Sequence, residues 1–323
     1  MSVTAHAALT PELRAVLEQG PSLFLTPRWL ETLLAAYPRF NLTVFASERE
    51  GRVTAVLPFM EARRALWREA VSLPFGCHGG VVLGPGGTAD DAHRLVRAFV
   101  VRARRLDVVR HELVALDPGA DVRAALEASY PAREVSERTT WIVDLPETPE
   151  ALWESYDTRL RRSIRRAREA GVTVAVARDA ASLEAFYAAY AELSATWDLS
   201  WKHPLPALRT VLERMGDDAG LWLARHEGRV VAGELALCRP GREFLTWVPA
   251  ATAASRELRA RHLLIHELLE HMIRSGYRTF HFGPSAGREG LETFKEAFGA
   301  TPRPLVHAGW QAAWVGWVQR VRW

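Results

Sequence analysis

LWLARHEGRVVAGELALCRPGREFLTWVPA, residues 221–250, is the stretch that decides the fold. LWLARH and RVVAGELALCR read as two strands joined across Glu227-Gly228-Arg229, a hairpin signature. EFLTWVPA reads as a third strand. Residues 256–275 follow with apolar side chains at helical spacing, and Gly276 stops them. Upstream lie the strand VTVAVARD and two helical patterns, about 182–197 and 205–215. Downstream come the strand YRTFHFG, the helix GLETFKEAFG and the strand TPRPLVHAGW.

The first half carries the same order. PRWLETLLAAY, residues 27–37, reads as a helix with Pro27 at its first position and Trp29, Leu30, Leu33 and Leu34 on its apolar face. NLTVFASE and GRVTAVLPFME form a hairpin across Arg49-Glu50-Gly51, and EAVSLPF is a third strand. A glycine-rich loop from Gly76 to Gly87 then feeds a helix from about Ala89 to Leu106. The strand HELVALD, a helix near Val122–Ser129 and the strand TTWIVDL complete the half. The repeat predicts an α/β fold of mixed sheets with flanking helices, in two tandem domains. A helix from Thr148, its N-cap, to Gly171 opens the second half. The expected boundaries are 1–146, 147–309 and a tryptophan-rich tail, 310–323.

Composition narrows the function. The 323 residues are 48% hydrophobic and 24% charged, ordinary for a soluble globular protein. No apolar run reaches the roughly 18–20 residues that span a bilayer, and Met1–Thr10 lacks the marks of a secretory signal. Cys77 and Cys238, far apart in sequence, fit lone thiols in a reducing cytoplasm. The net charge of +3 does not announce a nucleic-acid binder, yet Arg159–Arg168 holds six arginines. Arg161, Arg165 and Arg168 share one side of that helix, Arg162 and Arg166 another, opposite an apolar stripe of Leu152, Tyr156, Leu160, Ile164 and Ala167. They read as a solvated face or as a contact to phosphates. HLLIHELLEH lacks the H-E-x-x-H of zinc proteases, and its His266 and His271 are five apart, on different faces, so no metal is expected.

Residues 172–309 resemble the Gcn5-related N-acetyltransferase (GNAT) fold, and the tandem arrangement resembles the Fem-type aminoacyl-tRNA-dependent transferases and related acetyltransferases. SLPFGCHGG (72–80), RLRRSIRRAREAGV (159–172) and FHFGPSAGREGLETFKEAFGATPRPL (280–305) carry the resemblance. It implies an acyltransferase that moves an acyl or aminoacyl group directly to an amine, with aminoacyl-tRNA or acyl-coenzyme A as cosubstrate and no tightly bound cofactor. The chemistry belongs to the second copy, and the first shapes the acceptor site. Two departures stand out. The acyl-coenzyme A enzymes carry Q/R-x-x-G-x-G/A before the long helix, where this chain has no glycine. Asp-Phe-Gly-Arg-Ser of relatives is His281-Phe282-Gly283-Pro284-Ser285 here.

The candidate residues follow. Lys295, one of only two lysines beside Lys202, is expected to stabilise developing negative charge at the donor carbonyl, as the resemblance implies; otherwise it is a solvated helix lysine between Glu292 and Glu296. Glu234 is a candidate general base, and Ser285 a candidate donor to the carbonyl or leaving group. Arg256, Arg259 and Arg261, placed after Ser255 as helix N-cap, oppose the helix dipole and so point to a donor anion nearby, with Phe294 beside them. Gly76, His78 and Gly79 are expected to line the acceptor site, with Trp197 and Lys202; packing alone is the competing account, and Trp201 and His203 share the same loop. In the tail, Trp310, Trp314, Trp317 and Val321 fall at helical spacing with Arg320 and Arg322, a final packed helix or a peripheral membrane contact. The acceptor is expected to be a small molecule, peptide or amino-sugar, with tRNA a candidate partner. A non-catalytic module of the same fold, binding an anionic polymer or a protein, is the alternative.

Overall fold

The computed structural model describes residues 3–63, 67–105, 108–197, 202–285 and 287–314. Two units divide the chain: Met1–Arg138 with Pro304–Trp323, and Thr139–Arg303.

The first unit begins with β1 (Val3–His6), α1 (Pro11–Leu17) and α2 (Pro27–Ala36). Thr10 and Thr26 cap the two helices, their hydroxyls accepting from the N–H of Leu13 and Trp29, and a proline follows each cap. Trp29, Leu30 and Leu33 are fully buried, as the apolar face predicted. β2 (Phe40–Arg49) and β3 (Arg52–Arg63) pair antiparallel across Glu50 and Gly51, whose φ values of 52° and 75° make the left-handed pair that a tight hairpin needs. β4 (Arg68–Val71), β5 (Val82–Leu83), α3 (Ala89–Ala103), β6 (Val108–Leu116) and α4 (Ala120–Ser129) follow. The strand order is β1-β2-β3-β4-β6, with β5 beside β3; β4 and β6 run parallel. Asp91 closes a capping box on Thr88 and is fully buried. Burial raises its pKa, but hydrogen bonds from Ser47, Thr88 and Arg94 outweigh that and hold it at about 2.

β7 (Val135–Asp144) carries the chain into the second unit. There follow α5 (Pro149–Ser155), α6 (Thr158–Glu169), β8 (Thr173–Ala177), α7 (Ala180–Ala195), α8 (Leu205–Met215), β9 (Ala219–His226), β10 (Arg229–Arg239) and β11 (Glu243–Ala251). α9 (Ala253–Glu257), α10 (Ala260–Arg274), β12 (Thr279–Pro284) and α11 (Glu289–Glu296) complete it. The strand order is β7-β12-β11-β10-β9-β8, and only β11 and β12 run parallel among these pairs. Glu227 and Gly228 repeat the left-handed hairpin pair, at 50° and 76°. Each unit thus combines a tight antiparallel hairpin with a parallel pair connected through a long helix, the duplication expected from the sequence.

Alternation along β10 sorts the two faces. Ala232 and Ala236 join a core with Leu160 and Ile164 of α6 and Leu264 and Leu268 of α10. Leu160 and Ile164 are 2% and 0% exposed, and each such burial stabilises by about 2 kcal/mol. Gly233 faces the other way: a Cβ there would stand 2.8 Å from the Phe186 ring of α7.

Three expectations change. The boundary moves from 146 to 138, because β7 pairs with β12 from Thr140 onward. The chain then returns to the first unit at Pro304, because β13 (Thr301–Gln311) pairs with β6 from Leu305 to Gln311. The helix expected from Thr148 to Gly171 is two, α5 and α6, since Asp157 caps Leu160 N–H at 2.6 Å and restarts it. Trp310 is a strand residue of β13, not part of a terminal helix. Trp310 and Trp314 are 44% and 46% exposed; Trp201, Trp317, Arg320, Val321 and Arg322 lie outside the described residues. Among the described residues no helix is long and apolar enough to cross a membrane.

Candidate active site

The parallel strands β11 and β12 part company. Their pairing runs Glu243↔Thr279, Phe244↔Phe280 and Leu245↔His281 and ends there. β11 continues alongside β10 with a bulge, for Leu235 faces Val248 while Ala236 faces Thr246, leaving Trp247 as the extra residue. β12 continues alongside β7 with its own irregularity after His281, and Gly283 takes φ 72°. The fork lies at the carboxyl ends of two parallel strands, where open α/β sheets take their ligands.

Lys295 reaches into this fork. It sits near the end of α11 and is 2% exposed, not a solvated helix lysine. Its Nζ donates to the Gly283 carbonyl oxygen at 2.7 Å, two residues past the last β11–β12 pair. Burial of the amine pushes its pKa from 10.5 down to about 7. Arg261 and Arg288 push the same way, and Glu234 and Glu292 oppose them.

Glu234 comes from β10, on the face it shares with Ala232 and Ala236, and is 1% exposed. Arg261 Nη2 donates to its Oε1 at 3.0 Å. Its Oε2 has no partner among the described residues, and neither do Arg261 Nε and Ser285 Oγ. Burial raises the carboxyl pKa against the opposing pull of Arg261 and Lys295. The Arg261 guanidinium also lies over the Phe294 ring, 5.4 Å from its centroid. Glu234, Arg261, Phe294 and Lys295 are thus brought together, and Ser285, 2% exposed, directly follows β12.

The arginine segment differs from expectation in detail. Ser255 is inside α9, whose N-cap is Thr252, so it caps nothing. The single helix is broken at Leu258 and Arg259, and Arg259 is the N-cap of α10 with φ 56°. The left-handed turn that a glycine would take is therefore made by an arginine. Arg256 is exposed and Arg259 half-buried. Burial and then the charges of Arg259, Arg261 and Arg159 hold the neighbouring His262 at about 4, so it is neutral near pH 7.

Arg159 joins this group from α6. On that helix only Arg168 has a carboxylate partner, Glu267 at 2.7 Å, while Arg165 lies over Trp153 at 5.6 Å. Arg159, Arg161, Arg162, Arg165 and Arg166 have no carboxylate within ion-pair distance among the described residues. The expected apolar stripe is buried at 0–2% throughout.

The remaining candidates lie elsewhere. Trp197 is half-buried, edge-on to Tyr190 at 5.8 Å, and Lys202 is exposed. His203 donates its backbone N–H to Tyr190 Oη at 2.9 Å and its ring meets Trp247 at 4.6 Å. This aromatic wall stands between α7 and α8, on the face opposite Glu234. Gly76, His78 and Gly79 belong to the first unit. Gly79 N–H donates to the Val114 carbonyl at 2.7 Å, and a Cβ on it would press to 3.1 Å from Ser72 Cβ. His78 meets Phe24 edge-on at 4.9 Å, and Gly76 has φ 75°. Packing and backbone geometry account for the residue type at Gly79 and Gly76.

Tyr190 and Trp247 escaped the sequence reading, since a bulge that turns Trp247 towards His203 leaves no mark in EFLTWVPA. The Arg261–Phe294 contact escaped too, joining positions 33 residues apart in sequence.

Comparison with known proteins agrees with this geometry. Residues 154–296 match the family described as Acetyltransferase (GNAT) domain. No curated protein matches the chain in sequence. Among solved structures, FemX superposes with a TM-score of 0.69 at 14% identity, over 95% of this chain and 97% of its own. A tandem GNAT protein from the clavulanic acid biosynthesis pathway gives 0.63 at 15% identity, over 97% and 98%. L-PGS from Bacillus licheniformis gives 0.57 at 14% identity, over 94% and 97%. Residues 154–296 of the second unit thus match a GNAT domain model, and the chain has the fold seen in FemX and in the tandem GNAT protein.

Proposed function

We propose that the chain is an acyltransferase that passes an aminoacyl group from a tRNA ester directly to a primary amine, with the reaction in the fork between β11 and β12. The observation that carries this reading is Lys295, buried at the fork and held near neutrality.

An amine of that kind serves as base and then as acid. The acceptor nitrogen attacks the donor carbonyl carbon. Neutral Lys295 takes a proton from that nitrogen, and the resulting ammonium faces the oxyanion, with Ser285 Oγ as a second donor. The carbon–oxygen bond to the ribose breaks, and Lys295 returns the proton to the leaving oxygen. The donor is already activated, so positioning supplies much of the rate and no covalent enzyme intermediate is needed.

Two features favour tRNA as the carrier. Arg259 and Arg261 stand where an acyl-coenzyme A enzyme has small residues. The unpaired arginines of α6 approach the same corner through Arg159 and suit a phosphate backbone. One observation favours acyl-coenzyme A instead: the left-handed turn at Arg259 keeps the backbone path of the missing glycine. A non-catalytic module would have no use for a lysine kept dry at a cost in stability.

The test is transfer of a labelled group from charged tRNA or acyl-coenzyme A to a panel of amines, by the wild type and Lys295→Met. Transfer from charged tRNA, reduced by about 10²-fold or more in the variant, supports the reading. Transfer from acyl-coenzyme A alone selects the second donor, and no transfer from either selects the binding module.

A further inference from the structure

Glu234 and Arg261 form an ion pair in an unfavourable place. Glu234 is 1% exposed in the interior of a strand, flanked by Leu221, Trp222 and Leu223 of β9 and by Val248 and Pro249 of β11. Arg261 stands in the first turn of α10, where a cation opposes the helix dipole. Only the carboxylate is fully buried, for the Arg261 side chain is 30% exposed; apolar residues in place of a buried charge pair are often as stable or more so, and the cost of burying the carboxylate remains. Stability alone therefore does not explain the pair, and its neighbour supplies a use.

That neighbour is Lys295. Arg261 touches α11 directly, its guanidinium over Phe294, the residue before Lys295. The same guanidinium donates to Glu234 on the sheet, so one group on α10 meets both the helix that carries the lysine and β10. The charges that bear on the amine come from Arg261 on α10, Glu234 on β10, Glu292 on α11 and Arg288 just before it. β12 contributes the Gly283 carbonyl. Of the charged groups, only Arg261 and Glu234 are bonded to each other, so their opposing effects on the lysine are fixed together.

We propose that the Glu234–Arg261 pair is a positioning device for Lys295, fixing both where its amine stands and how readily it takes up the acceptor's proton. Glu234 then acts through Arg261 and Lys295, and not as the general base itself. This rests on the reading of Lys295 as the proton-transferring group.

The pair makes opposite predictions for its two members. Loss of Arg261 removes a like charge and leaves Glu234 unopposed, so the amine holds its proton to higher pH. Loss of Glu234 removes the opposite charge, so the amine gives up its proton at lower pH. The experiment is kcat/KM against pH for the wild type, Arg261→Met, Glu234→Gln and Arg261→Lys, with the donor that the wild type uses. The expected result is an ascending limb displaced upward by about one pH unit or more in Arg261→Met, displaced downward in Glu234→Gln, and nearly restored in Arg261→Lys. Should Arg261→Met fail to fold with a lone buried carboxylate, the double variant Arg261→Met/Glu234→Gln carries no buried charge there, and its limb lies slightly above that of wild type, because the Arg261 charge outweighs that of Glu234 at the amine; a limb below that of wild type overturns the proposal. Limbs that coincide, or that move in the same direction, overturn the proposal and leave the pair a structural one. Full transfer by Lys295→Met is a separate failure, for it removes the reaction reading itself.

Discussion

Replacing Lys295 with methionine should make the protein more stable as it makes it inactive. The native amine is depressed from 10.5 to about 7, chiefly by burial, and each pH unit of depression is worth about 1.4 kcal/mol. Taken whole, that is a penalty of about 5 kcal/mol; with solvent and the nearby Glu234 charge moderating it, about half is the working figure. Methionine has similar length and no charge to bury, but it forfeits the bond to Gly283, worth about 1 kcal/mol. The net gain is about 1–2 kcal/mol, roughly 1.5–3 °C for a chain of this size. The sign of its pH dependence is fixed. Between pH 7 and 10.5 the unfolded chain holds a proton that the native amine has lost, so wild-type stability rises with pH across that window. The penalty is complete below pH 7, and the variant's advantage is greatest there and shrinks towards pH 9. Calorimetry or fluorescence-monitored melting at pH 6.5, 8 and 9 measures it. A variant that melts lower at pH 6.5, or a gap that does not change with pH, refutes the account of Lys295 as a buried amine held near neutrality.

Arg259→Gly should relieve the left-handed strain and stabilise by about 1 kcal/mol in urea unfolding while weakening donor binding; a lower urea midpoint would show that the arginine's contacts outweigh the strain. Gly309→Ala should cost about 1–3 kcal/mol, because its Cβ would stand 2.6 Å from the His111 carbonyl oxygen and 3.0 Å from Glu112 Cα. Gly290→Ala, with nothing within 4 Å, serves as the control and should be neutral or mildly stabilising. Arg162→Gln with Arg166→Gln should weaken tRNA binding and flatten the slope of log affinity against log salt by about 2; an unchanged slope would clear α6 of any phosphate contact.

Much of the fold was legible because its signals are local. Glu50-Gly51 and Glu227-Gly228 announce their hairpins through the left-handed turn each must make. The stripe Leu160, Ile164, Ala167 announces the buried side of α6 by spacing alone. What escaped depends on distant partners. Nothing in TTWIVDL says that it pairs with β12, or in TPRPLVHAGW that it returns to β6, so the unit boundaries came out several residues off. The helical periodicity of residues 253–274 runs on through Leu258 and Arg259, so the break into α9 and α10 was hidden, and an arginine at φ 56° is one that no propensity foretells. At the site, Lys295 was singled out by the family resemblance and by its rarity, yet its burial was not foreseen between two glutamates. Alternation told that Glu234 and Leu235 face apart; only α10 packing on β10 decided which of them meets Arg261.

The most direct test of the central claim is the pH dependence of transfer by the wild type and by Lys295→Met, with the donor the wild type accepts, on protein shown to be folded by its melting curve. The account predicts a wild-type rate that rises along a limb centred near pH 7, where the amine loses its proton, and a variant slower by about 10²-fold or more with that limb gone. A folded variant that transfers within a few-fold of wild type along the same limb would contradict it.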